Sequence, residues 1–225
     1  MRARLIDLLK AGQFDAIIQL AAENKRLLSL LTALTYYTDH LLAWRAVQAF
    51  GMAARRIAEA DAEYVRNHLR RQFWLLSDES GGIGWRAPEL IGETLARCPG
   101  FFEEFVSPLI YLLDLEEEDA PRFRPGVLWA IGRIAPDRPQ IPALALPMVL
   151  PCLRDPNPQA RGMALWCLGR MGYPPPPSAL QPLLADSAGV EIYLDGELRL
   201  ASVGALAAQL VELGRGSSPR ESLWC

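Results

Sequence analysis

The chain has 225 residues, 51% of them hydrophobic, and its 23 Lys and Arg nearly balance its 26 Asp and Glu for a net charge of −3. That length suffices for one large or two small domains around a continuous core. The missing basic surplus argues against a protein that holds nucleic acid by neutralising phosphates.

Charges at Arg2, Arg4 and Asp7 come too early for a signal peptide. Residues 2–10 and 13–22 read as two short helices broken at Gly12, a cap over whatever follows, so that 1–24 form an N-terminal cap. From there a unit of about forty residues recurs. Four segments align without gaps: Trp44–Gly51, Trp85–Gly92, Pro125–Gly132 and Gly162–Gly169, with a degenerate fifth at Ala201–Ala208. An apolar run precedes each, at Leu27–Tyr37, Tyr64–Leu76, Phe101–Leu113, Ile141–Leu153 and Ala179–Ala185, and ends near Asp39, Asp78, Asp114, Asp155 or Asp186. This is the pattern of stacked helix pairs. One pair cannot bury its apolar face alone, and small residues on the second helix let neighbouring pairs approach closely. The Asp supplies an acceptor for free amides at the second helix's start.

The most apolar stretch, Ile141–Leu153, is too short to span a bilayer and contains Pro142, Pro147 and Pro151, so no membrane association is expected. Near the C-terminus, alternating apolar residues around Asp195-Gly196 predict a two-residue β-hairpin over 190–200. A disordered tail is expected over 215–225, which carries Cys225. The other cysteines, Cys98, Cys152 and Cys167, form no CxxC pair. Neither a zinc site nor a redox dithiol is therefore expected, and the sparse usage fits a reduced, cytoplasmic setting.

The segment Leu153-Arg-Asp-Pro-Asn-Pro-Gln-Ala-Arg-Gly-Met-Ala-Leu-Trp-Cys-Leu-Gly-Arg-Met-Gly172 resembles the repeat of HEAT-like proteins of the phycobilisome-lyase type. An Asp-Pro turn, an Arg near the start of the second helix and an Ala-rich Leu-Gly run carry the likeness, which is fainter in the other repeats. It implies an all-α fold: a right-handed α-α superhelix, a HEAT-like solenoid of about five helix pairs over 25–213 within a single domain 1–214, carrying the small hairpin. It also implies an Asp–Arg ladder between repeats. Arg124 and Arg161 stand eight residues before their repeat glycines, as that pattern requires, while Arg45 and Arg86 stand six before theirs. The ladder is therefore expected in the C-terminal half.

Three functional readings compete. The first is a non-enzymatic scaffold that binds a protein partner, with neither metal nor cofactor. The second, implied by the resemblance, is a ligand-binding or lyase-like accessory for a tetrapyrrole or another small molecule. Its site would be the Gly-rich link 77–86. There Asp78, Glu79 and Ser80 offer oxygens, Gly81 and Gly82 permit tight backbone, Trp85 and Arg86 offer an aromatic face and a guanidinium, and Glu89 follows one turn on. The plainer account of that link is a long capped turn. The third reading is nucleic-acid binding through Arg55, Arg56, Arg66, Arg70 and Arg71, which the near-neutral balance disfavours. Glu89 and Glu93, four apart, share a helix face. The acidic run Glu116–Asp119 reads as a solvated loop, and His40 and His68 lie in no metal-ligand motif.

Overall fold

A computed structural model describes residues 1–76, 86–114 and 120–216. The chain divides into two compact units, Met1–Leu109 with Asp195–Glu197, and Ile110–Leu194 with the residues from Leu198 on. Both are mostly helical, and a two-stranded antiparallel sheet completes the second.

In the first unit, α1 (Arg2–Lys10), α2 (Phe14–Glu23) and α3 (Leu27–Leu34) pack on α4 (His40–Trp74), and α5 (Ala87–Arg97) lies against α4. The predicted cap helices are present, and Gly12 separates them with a left-handed backbone (φ 66°). Asp39 caps α4 by accepting from the Leu42 amide at 3.1 Å. Inside α4 the backbone at Asp61 is non-helical (φ −149°, ψ 74°), so α4 is two helices in succession. The Asp61 carboxylate accepts from the Tyr64 amide at 3.0 Å and thereby starts the second of them. That is why the second apolar run begins at Tyr64. It runs parallel to α3, as Lys25 pairing with Asp61 at 2.8 Å and Ser29 approaching His68 at 3.4 Å show. On its other side Phe73 stacks on Phe105 at 5.7 Å.

In the second unit, α7 (Ala120–Ile134), α9 (Pro158–Arg170) and α11 (Val203–Gly214) are successive neighbours. Three shorter helices precede them, α6 (Val106–Tyr111), α8 (Ile141–Val149) and α10 (Pro177–Leu180), and the unit division falls inside α6. Close approach of α7 and α9 depends on Gly132, where an added Cβ would stand 2.5 Å from the Trp166 ring. Trp166 and Trp129 stack in parallel, 6.4 Å apart, both buried. The Asp–Arg ladder expected in this half is present. Arg124 pairs with Asp155 of the next repeat, and Arg161 pairs with Asp186 of the one after at 2.6 Å. Asp155 also accepts from the Asn157 amide, and Asp186 from that of Ala188, so each carboxylate fixes its own turn while holding the preceding repeat.

The hairpin is formed by β1 (Gly189–Leu194) and β2 (Glu197–Ser202). Asp195 (φ 43°) and Gly196 (φ 92°) both have positive φ, the requirement of a type I′ turn. β1 lies along α9 and α7. Val190 fills the space over Gly162, Gln159 exchanges two hydrogen bonds with the Glu191 backbone, and the Trp129 indole donates to the Tyr193 carbonyl at 3.1 Å. The tail from residue 217 and the acidic run 115–119 lie outside the described residues.

Candidate functional site

Of the residues singled out at the Gly-rich link, Asp78, Glu79, Ser80, Gly81, Gly82 and Trp85 lie outside the described residues. Arg86 and Glu89 lie within them and come together. Arg86 precedes the first turn of α5, Pro88 pre-sets that turn, and Glu89 follows as its acidic residue. Arg86 donates to one Glu89 carboxylate oxygen at 3.0 Å, while its guanidinium lies 4.3 Å from the centroid of the Trp44 ring.

The acid pair Glu89 and Glu93 does share one face of α5. That face packs on α4 and is buried, with Glu89 4% exposed and Glu93 1%. The cause is the repeat itself. Trp44, Gln48 and Gly51 are spaced one and two turns apart on α4, and Gly51 leaves the room that the Glu93 side chain occupies: an added Cβ would stand 2.6 Å from Glu93 Cγ. Arg97 then closes over Glu93 at 2.8 Å. Gln48 and Glu89 occupy the repeat position that Trp129 and Trp166 hold in the second unit. One column thus carries buried polar groups in the N-terminal half and stacked indoles in the C-terminal half.

The second Glu89 oxygen, Oε2, is buried and has no hydrogen-bond partner among the described residues. Burial pushes the Glu89 carboxyl above its ordinary value, and the nearby Arg86 only partly opposes this. An acid whose folded pKa is raised stabilises the fold most at pH values below the ordinary carboxylate range. That contribution is lost as pH rises through the raised value. Glu89→Gln keeps an acceptor for Arg86 and removes the charge. The variant should match the wild type in denaturant unfolding at acid pH and exceed it at pH 8. Lower stability of the variant at pH 8 would show that the ionised carboxylate is needed to hold Arg86.

Other side chains are engaged in the fold. Arg56 pairs with Glu59, Arg66 with Glu63 and Glu104, and Arg70 with Glu63, so most of the basic cluster is matched by acids on its own surface. His68 contacts the Tyr64 carbonyl at 3.1 Å, and burial lowers its pKa. Burial pushes the Cys98 thiol up to about 12 and that of Cys152 to about 11, and raises Cys167 as well. These three are packing residues held as thiols, unsuited to nucleophilic work. Sequence reasoning missed Trp44 as the platform for Arg86. The repeated Trp-Arg dipeptides at 44–45 and 85–86 are the signal that marks it.

Residues 121–171 match the family model of a HEAT-like repeat. An uncharacterized protein of Archaeoglobus fulgidus is 36% identical over 107 residues, which are 48% of this chain and 53% of that protein. The chain therefore spans about half the length of the curated relative it matches. No solved structure matches it. Among the described residues, no helix is long and apolar enough to cross a membrane.

Proposed function

We propose that the HEAT-like repeat of residues 121–171 is one stretch of an array over 25–213, wound as a right-handed α-α superhelix, and that this array is a non-enzymatic, cytoplasmic protein-interaction module. The observation that carries the reading is a cluster of exposed aromatic side chains where the first helices of two successive pairs end. Tyr36 is 49% exposed and Tyr37 37% at the end of α3, and Trp74 is 50% exposed at the end of α4. The parallel register fixed by the Lys25–Asp61 and Ser29–His68 contacts brings these two helix ends side by side. Tyr and Trp on a rigid helical scaffold are the residue types that dominate protein interfaces.

A photo-crosslinking amino acid placed at Tyr36 should trap a discrete partner in cells, and one placed at Ala208 on α11 should not. Equal, diffuse adducts from both positions would remove the ground for this reading. A second reading, a small-molecule site, is favoured by Glu89 Oε2, since a buried carboxylate oxygen without a partner is the kind of group a donor-bearing ligand satisfies. It predicts that the stability gained in Glu89→Gln is accompanied by loss of ligand binding.

A further inference from the structure

Proline shapes α8 and α10. Each proline removes an amide hydrogen and crowds the carbonyl one turn back, so α8 gives way to a 3-10 segment at Leu150 and α10 to another at Gln181. Between these short pieces the second unit carries a groove of about 530 Å3, within the size range of small-molecule sites. Its wall contains Pro147, Pro151, Pro176 and Pro182, and three leucines complete the apolar surface. Polar side chains enter it at Arg154 and Ser178. Among the described residues its lining has no carboxylate, no aromatic ring and no side-chain amide. Arg154 is exposed, and the adjacent carboxylate of Asp155 is taken by Arg124, so Arg154 has no acid partner among the described residues.

We propose that this groove binds a free medium-chain fatty carboxylate, with its alkyl chain along the proline and leucine wall and its head paired with Arg154. The chemistry of the lining selects that occupant. With no carboxylate, it offers nothing to a cation. With no aromatic ring or amide, it gives a sugar or a nucleobase neither a stacking surface nor a directed pair of hydrogen bonds. A peptide main chain laid along it would find few donors for its carbonyls, because proline has no amide hydrogen. A buried carbonyl without a donor is costly. An alkyl chain has no groups of that kind, and its transfer out of water is favourable wherever it touches the wall. One guanidinium without an acid partner then calls for one anionic head, and a carboxylate matches its planar fork. The site shares no residue with the aromatic cluster at Tyr36 and Trp74 or with Glu89, so its test is independent of both readings given above.

The test is isothermal titration calorimetry of the full chain with hexanoate, octanoate and decanoate, each below its micelle concentration. A single molecule should bind per chain, and affinity should rise about threefold for each added methylene. Decylammonium, with the same chain and the opposite charge, should bind more weakly by about tenfold or more. Arg154→Gln should weaken decanoate about fivefold and leave decanol unchanged, a split that general damage to the fold would not produce. Ala179→Phe fills the groove from α10 and should abolish binding of both, with circular dichroism confirming the fold. Ser178→Phe fills it from an exposed position and takes over if the first variant does not fold. Arg215→Gln, in a second apolar groove of about 390 Å3, should change nothing. Affinity independent of chain length, decylammonium bound as well as decanoate, or decanoate retained by a folded groove-filling variant would each overturn the proposal. So would equal losses from Arg154→Gln and Arg215→Gln. Binding to vesicles of anionic phospholipid without binding of free decanoate would overturn it too, and would make the groove a membrane contact.

Discussion

Asp155→Ala should lower the stability of the second unit by about 3 kcal/mol, the scale for removing one partner of a buried ion pair. The Asp155 side chain is 4% exposed and performs two tasks. One oxygen takes the Arg124 guanidinium from the preceding repeat, and the other takes the Asn157 amide at 2.8 Å. Removing it frees a turn amide and leaves Arg124 without its carboxylate. Arg124 is 24% exposed, so its guanidinium can swing towards water, which keeps the cost at the lower end of the range. Asp155→Asn should lose less, because an amide oxygen still accepts from Asn157. The check is denaturant unfolding of Asp155→Ala, Arg124→Ala and the double variant Arg124→Ala/Asp155→Ala, whose coupling should fall between about 0.5 and 3 kcal/mol. Full additivity would mean that Asp155 acts only on its own turn. Glu59→Ala, at an exposed pair with Arg56, should leave stability unchanged. The other rung, Arg161–Asp186, is built the same way around a less buried carboxylate. Arg161 holds the Asp186 carboxyl below its ordinary value, so that stabilisation is present above the usual carboxylate pKa and is lost as pH falls through the lowered one.

Gly132→Ala should also destabilise, by about 1–3 kcal/mol, although alanine favours a helix over glycine by about 1 kcal/mol. The new methyl would stand 2.5 Å from Trp166 Cζ3 and 2.8 Å from Cε3. That ring has no exposed surface and stacks on Trp129 in a closely packed core, where little room is left for it to shift. The overpacking therefore outweighs the helix gain. Trp166→Phe removes the part of the indole that clashes. The double variant Gly132→Ala/Trp166→Phe should accordingly be more stable than the sum of the two single effects predicts. Thermal unfolding of the four proteins in the cycle measures this, and a strictly additive result would locate the strain elsewhere.

Much of this architecture is legible in residue order, because each element is announced locally. The glycines at 51 and 132 mark where helices come close, and Asp39 announces a capped start. Asp195-Gly196 can only be a tight turn, and Arg124 and Arg161 stand where a ladder needs them. Harder to read is any property decided by which face a neighbour covers. Glu89 and Glu93 share a face by simple periodicity, but only the approach of α4 over Gly51 shows that this face is buried. The kink at Asp61 is obscured because the residues on both sides favour helix, and its capping role is local to Tyr64. The hairpin could be foreseen as a hairpin. That Gln159 and Trp129 would occupy one of its edges could not, since those contacts join residues 32 and 64 positions apart.

Arg45 has a consequence for how the chain is made. Its guanidinium takes the Leu9 and Lys10 carbonyls at the end of α1, at 3.1 and 2.7 Å, and also the Gly196 carbonyl, 151 residues further on. On the ribosome the first two acceptors emerge shortly before Arg45, and the third emerges 151 residues after it. In most repeat arrays each repeat meets only its neighbours, so growth from one end can be completed step by step. Here a residue made early holds a donor whose last acceptor arrives late, and closing so long a loop carries an entropic cost. The hairpin turn thus acts as a late-arriving piece of the first unit: a chain cut short before Gly196 leaves that unit with an unfilled hydrogen bond.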